Sequence, residues 1–245
     1  MIISQFIAQE IALVVLILLY GTVLARLVPV KFHLWLNISI AAIAVVVGFA
    51  FNLTLDQMGL GLRHILPGIF VAIAASIGIT IATLCISAIP FLRRYFLGDD
   101  LAHASGKLIA FEAAIRIPLG TALIEEILFR GVLLGLLLTH YSSIVAIIIS
   151  SLIFGLWHIF PTINTLESNN GVADTIKNKK SRKAGSVIGA VIVTTVAGIG
   201  FGWLRIIANS VIAPWLVHWS INASGILGIA VARKLEQSRT KSDNI

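Results

Sequence analysis

Three stretches of an otherwise apolar chain carry side chains able to move protons. The run PLGTALIEEILFRGVLLGLLLT from Pro118 to Thr139 holds Glu125, Glu126 and Arg130. Phe154 and His158 stand four apart in SSLIFGLWHIF, and His218 and Asn222 stand four apart in SVIAPWLVHWSINASG. A carboxylate can serve as a general base, an imidazole can help hold a water, and imidazole and amide N–H groups can steady a developing negative charge. Spacing sorts the first group. At about 100° per residue, Glu126 and Arg130 differ by about 40° and share a helical face, with the acid on the favourable N-terminal side. Glu125 lies about 140° from Arg130 and projects elsewhere. The expectation is that Glu126 and Arg130 neutralise each other and that Glu125 faces a polar cavity as a base. The bland alternative is an ion-pair staple with Glu125 as a spare partner, and for each histidine alone a helix–helix hydrogen bond.

These residues must sit in lipid. Of 245 residues, 58% are hydrophobic and 12% charged, against about a quarter charged in soluble chains; the mean hydropathy is +0.99. A water-soluble fold of this length has no means of hiding so much apolar surface. A charged residue at the centre of a membrane helix costs roughly 2.5–3.5 kcal/mol. Three within six positions therefore have to pair or perform a function. The net charge of +7 falls between the apolar runs, as membrane topology requires, so no nucleic-acid partner is expected. The single cysteine, Cys85, excludes an internal disulfide and a thiolate metal cluster. It is expected to be a small buried hydrophobe.

The expected fold is an all-α polytopic transmembrane bundle of about seven spans: 7–25, 34–53, 66–89, 118–138, 143–160, 186–204 and 210–231. The mixed stretch 101–117, with Glu112 and Arg116 at i,i+4 spacing, reads as an interfacial helix leading into the fourth span. Basic residues set the orientation. Arg26, Lys31, Arg93, Arg94, Lys107, Lys177, Lys179, Lys180, Arg182, Lys183, Arg233, Lys234, Arg239 and Lys241 fall on one side, and only Arg63 and Arg205 on the other. By the positive-inside rule the N-terminus is out and the C-terminus in. The first segment lacks a basic n-region and is expected to be retained. Residues 161–185 form the one long polar loop, expected to be mobile. With this topology Glu125, His158 and Asn222 fall in the inner half of the bilayer and His218 nearer its midplane, so the four can converge. His33, His64, His103 and His140 lie at loops or span ends and are read as interfacial.

Taken in order, Glu125-Glu126-x-x-x-Arg130, Phe154-x-x-x-His158 and His218-x-x-x-Asn222 resemble the CPBP family, also called Abi or type II CAAX prenyl endopeptidases. LFRGVLLG, SLIFGLWH and NSVIAPWLVH around the motifs fit as well. The resemblance covers about residues 110 to 225. It implies an intramembrane endopeptidase in which Glu125 activates water with His158, and His218 and Asn222 stabilise the oxyanion. Glu126, Arg130 and Phe154 would support the site. It divides the chain into N-terminal transmembrane helices over 1–107, a catalytic helical core over 108–231 and a polar cytoplasmic tail over 232–245.

The cofactor is left open. Glu125, His158 and His218 form a His2Glu set of the type that holds Zn²⁺ with one open position, and the same residues also serve a metal-free glutamate scheme. The expected partners are membrane lipid and a peptide or lipidated protein substrate, in a prokaryotic plasma membrane. Two competing readings remain: a non-catalytic membrane binder or bacteriocin-immunity protein using the same cavity, and a small proton-coupled transporter. The chain has no HExxH motif and no pair of broken helices, which weighs against other intramembrane proteases and against the transporter.

Overall fold

A computed structural model describes residues 2–97, 104–168 and 179–243. Among them the regular structure is helical, with no strand. The elements are α1 (Ile2–Leu27), α2 (His33–Ala50), α3 (Ile65–Ala88), α4 (Pro90–Leu97), a helical run α5 (106–137), α6 (Ser143–Trp157), α7 (Ile159–Ser168), α8 (Lys179–Ala208) and α9 (Ile212–Asp243). Six helices are long and apolar enough to cross a membrane: those at Phe6–Leu27, Val30–Ala50, Leu62–Ala88, Ser143–Glu167, Lys183–Ala208 and Ile212–Arg239. The fold is an all-α polytopic bundle. The fourth expected span coincides with the charged run α5, which is not one of the six.

Run α5 is the axis of the molecule. Every residue from 124 to 137 is buried, and a helix hydrophobic all round belongs at the centre of a bundle. The interfacial helix expected over 101–117 is not separate: from Gly106 the chain runs on without a break through alternating α and π turns, the π turns being Glu112–Arg116, Pro118–Ala122 and Ile127–Leu133. Pro118 has no N–H to give, and wide turns loosen the i→i−4 ladder, so carbonyls need other donors in a dry interior. Neighbouring helices supply them. Trp219 Nε1 donates to Ala113 O at 2.7 Å, Trp215 Nε1 to Pro118 O at 2.8 Å, and Asn37 Nδ2 to Gly120 O at 2.5 Å. Asn37 in turn accepts from the Tyr20 hydroxyl. Helices α1, α2 and α9 are thus tied to the turns that lead into Glu125.

Close crossings elsewhere use glycine. Gly155 on α6 sits so near Thr195 and the Val191 carbonyl of α8 that a Cβ has no room. At the C-terminal half of α5, Met58 from the α2–α3 connection is fully buried, and the backbone of Gln57 and Met58 approaches Gly135 within 2.9–3.5 Å of where a Cβ would stand. Gly59 beside it has φ +70°, a left-handed value that suits a residue without Cβ. That connection is clamped by Arg205 of α8, whose Nη2 donates to Gln57 O at 2.8 Å and whose Nη1 donates to Asn209 at 3.2 Å.

Three expectations change. Cys85 is exposed on α3, not buried. Helix α3 is peripheral, with only Gly68, Ala72 and Ser87 buried, and lipid-facing positions are as apolar as core ones. The polar stretch after Phe160 is helical at both ends: α7 carries Pro161 in its first turn, where proline is tolerated, and α8 starts at Lys179. His103 and residues 169–178 lie outside the described residues. The C-terminal stretch expected as a polar tail continues α9 as helix to Asp243.

The Asn37 link yields a test. Replacing Asn37 with Leu keeps its branched shape but strands the Gly120 carbonyl and the Tyr20 hydroxyl in the bundle. A stability loss of about 1–3 kcal/mol is expected, read as a lowered unfolding midpoint in detergent; an unchanged midpoint would show that those carbonyls need no outside donor.

Candidate active site

The two adjacent glutamates of α5 occupy buried positions, Glu125 with 6% and Glu126 with 0% of its surface exposed. Their surroundings differ. Arg130 is also buried, and its Nη1 donates to Glu126 Oε1 at 3.4 Å, so the i,i+4 pair read from spacing is formed. Its Nη2 donates to the Gly198 carbonyl of α8 at 3.1 Å. The guanidinium also lies over the rings of Phe154 at 4.2 Å and Phe201 at 5.1 Å, measured to their centroids. Cation–π attraction is strongest where the cation is desolvated. Phe154 is therefore a wall of the arginine site.

Glu126 has a second partner that spacing did not indicate. His218 Nδ1 lies 2.8 Å from the same Oε1 that Arg130 contacts. The His218 ring stacks on Phe201 at 4.9 Å and 19°. One carboxylate thus orients an arginine on its own helix and an imidazole on α9. His158 is oriented by backbone. It terminates α6, and its Nδ1 lies 2.8 Å from the Phe154 carbonyl. A carbonyl only accepts, so that nitrogen carries the proton and Nε2 of the neutral ring is a lone pair.

Both Nε2 atoms turn toward Glu125. Its Oε2 lies 3.9 Å from His158 Nε2 and 3.8 Å from His218 Nε2, and has no hydrogen-bond partner among the described residues. The other oxygen, Oε1, accepts from Trp157 Nε1 at 3.3 Å. So Glu125, His158 and His218, from three helices, converge within 4 Å. Asn222 follows one turn after His218 on α9; it is half-buried, and its amide bonds to no described residue. His158 is the most open of the three, with 21% of its side chain exposed, against 8% for Glu125 and 6% for His218.

The convergence is looser than a metal site requires. Zn²⁺ bonds of about 2.0–2.2 Å place tetrahedral ligand atoms roughly 3.3–3.6 Å apart, and both Glu125–histidine separations exceed that. Among the described residues no group of three or more His, Cys, Asp or Glu side chains is arranged to hold a metal ion. No step is therefore derived through one. Two cavities, of about 600 Å³ and about 450 Å³, both border Asp56, and neither is lined by the glutamates.

Sequence spacing missed Trp157, Phe201 and Gly198. Trp157 sits beside a motif histidine, and the adjacency was a usable signal. Phe201 and Gly198 lie in GIGFGWLR on α8, a stretch that fits the family resemblance but carries none of the three spaced motifs, and packing gives them their places. A Cβ on Gly198 would stand 3.1 Å from Arg130 Nη2 and 3.0 Å from Ser151 Cβ, so this glycine lets α8 approach the guanidinium.

The class that fold and site define is a polytopic helical membrane bundle that encloses a buried carboxylate–imidazole cluster. Residues 108–224, a little under half of the chain, match the family model of the Rce1-like type II CAAX prenyl endopeptidases. No curated protein and no solved structure matches the chain.

The buried ion pair makes a stability prediction. Arg130→Met leaves Glu126 uncompensated and should cost about 3–5 kcal/mol, whereas Arg130→Met with Glu126→Gln should recover most of it. Thermal unfolding of the three proteins in detergent checks this. Equal midpoints for the single and double variants would show that the stranded charge is not the source of the loss.

Proposed function

We propose that the chain hydrolyses a peptide bond of a membrane-associated peptide or lipidated protein, with Glu125 as general base. The observation that carries this is Glu125 Oε2, buried, without a hydrogen-bond partner among the described residues, and facing two imidazole Nε2 atoms at 3.8 and 3.9 Å. His158 Nε2, a lone pair, and the carboxylate each accept a hydrogen from one water, which leaves an oxygen lone pair for a carbonyl carbon. Glu125 takes the proton as the C–O bond forms. The carbonyl oxygen becomes an oxyanion, steadied by the Asn222 amide and by His218 Nε2–H when that ring carries both protons, its Nδ1–H then donating to Glu126. Glu125 returns the proton to the departing amine as the C–N bond breaks, giving a carboxylic acid and an amine; the acid's remaining water-derived proton then passes to the amine, leaving a carboxylate and an ammonium.

The scheme is balanced in charge: with both ring nitrogens of His218 carrying hydrogen and His158 neutral, as it requires, Arg130 and His218 offset the two carboxylates, Glu125 and Glu126. A site neutral overall avoids the cost of an unpaired ion in the membrane interior. Glu126, Arg130 and Phe154 orient and shield and take no part in bond making.

The topology proposed with it has the N-terminus outside, the C-terminus inside and seven crossings, α5 being the seventh, in a prokaryotic plasma membrane. The catalytic core is 108–231. The site then opens toward the inner leaflet through His158.

The test is cleavage of a membrane-anchored peptide by purified protein. Glu125→Gln keeps size and hydrogen bonding but removes the base, and turnover should fall by about 10²–10⁴-fold with membrane levels unchanged. Activity should persist in excess chelator. Cleavage that survives Glu125→Gln would remove Glu125 from the base role, and cleavage lost on chelation and restored by Zn²⁺ would replace this scheme with a metal-dependent one.

A further inference from the structure

We infer that Trp157 is a positioning residue for the Glu125 carboxylate, and that helix α1, outside the family-matched segment, sets the position of its indole through Gly21. The inference rests on the reading of Glu125 as base and adds what points it. A glutamate side chain has three rotatable bonds, and nothing in the ion pair of Glu126 and Arg130 restrains its neighbour. Trp157 provides that restraint. The indole has a single donor and no acceptor, and that donor meets Glu125 Oε1 at 3.3 Å. With Oε1 anchored, only Oε2 faces the two imidazoles.

The indole is itself confined. Trp157 is 6% exposed. Phe129 meets it edge-on at 5.6 Å and Tyr20 tilts against it at 6.1 Å. On the α1 side, a Cβ placed on Gly21 would stand 2.5 and 2.6 Å from two indole carbons, closer than real contacts allow. Gly21 is therefore the floor on which the ring rests. The chain of contacts runs Gly21, Trp157, Glu125: one apolar contact followed by one hydrogen bond. Because Trp157 immediately precedes His158, the end of α6 sets both the general base and its imidazole partner. A displacement of about 1 Å at a reacting group can cost on the order of 10²-fold in rate, so such restraint carries catalytic weight without touching substrate.

The experiment pairs kinetics with a direct view of the hydrogen bond. Trp157→Phe keeps an aromatic ring and removes the N–H; kcat for the membrane-anchored peptide should fall by about 10–100-fold with KM within about twofold. Gly21→Ala should lower kcat similarly in the wild-type background and have little further effect in Trp157→Phe, because it acts through the indole. Retained kcat in Trp157→Phe, or an equal cost of Gly21→Ala in both backgrounds, would overturn the inference. In protein labelled with [15N]indole there are five tryptophan signals; the one lost in Trp157→Phe should shift in Glu125→Gln. A signal that stays put means the indole does not hold the carboxylate, whatever the kinetics. If the wild type cleaves nothing, the hydrolytic reading fails, and this signal still decides whether Trp157 restrains Glu125.

Discussion

Two carboxylates stand side by side, buried within the bundle, and everything about the centre of this molecule follows from keeping them different. Glu126 Oε1 is shared between a guanidinium 3.4 Å away and an imidazole nitrogen 2.8 Å away. Glu125 receives one neutral N–H and leaves its other oxygen facing imidazole edges. Neighbouring carboxylates separate in function when their surroundings separate in charge, and here a single helical turn achieves that. Arg130 is what makes it possible. Its Nη2 bonds to Gly198 O, and the aromatic faces of Phe154 and Phe201 compensate much of its desolvation. Remove the arginine, and Glu126 and His218 are left to solve the electrostatics alone.

That arrangement dictates the architecture around it. Burying three charged residues on one helix requires the helix to be enclosed, and α5 is buried on every face from 124 to 137. Enclosure requires other helices to come close, which Gly155 and Gly198 permit for α8, and Gly135 permits for the backbone of the α2–α3 connection. The π turns that precede Glu125 leave carbonyls needing donors, and Asn37, Trp215 and Trp219 provide them from α2 and α9. The two indoles are polar at one atom and apolar elsewhere, and the second polar atom of Asn37 is satisfied by Tyr20, which suits a place where a backbone group must be satisfied without admitting solvent.

Much of this was legible in the residues. The apolar runs located six of the seven expected spans on long apolar helices, with ends within about eight positions, because a bilayer imposes a length that few other constraints imitate. The i,i+4 relation between Glu126 and Arg130 was readable because it depends on helix geometry alone. Convergence of Glu125 with His158 and His218 needed only span order and depth. What stayed hidden depended on packing. In lipid the outside of the bundle is as apolar as the inside, so composition gave Cys85 no way to declare itself exposed. The His218–Glu126 contact joins residues 92 apart, and no local pattern encodes which oxygen an imidazole from another helix will take. The turn from α6 to α7 at His158 and the π turns of α5 likewise belong to tertiary structure.

The division of the chain between chemistry and support follows the same line. Every charged or proton-bearing member of the site lies between residues 125 and 222, inside the segment that matches a family of intramembrane endopeptidases. The first two helices add no charge to it; they add Gly21 under the indole, Tyr20 beside it, and Asn37 on the Gly120 carbonyl. Such contacts are satisfied by shape and by single hydrogen bonds, so many sequences can provide them, and helices that provide them need share little with one another. Charged groups in a low-dielectric interior have no such freedom, because each must meet its partner within about 4 Å or cost several kcal/mol. The centre is thus held by specific pairing of charges and the leading helices by shape, and both place contacts around one carboxylate.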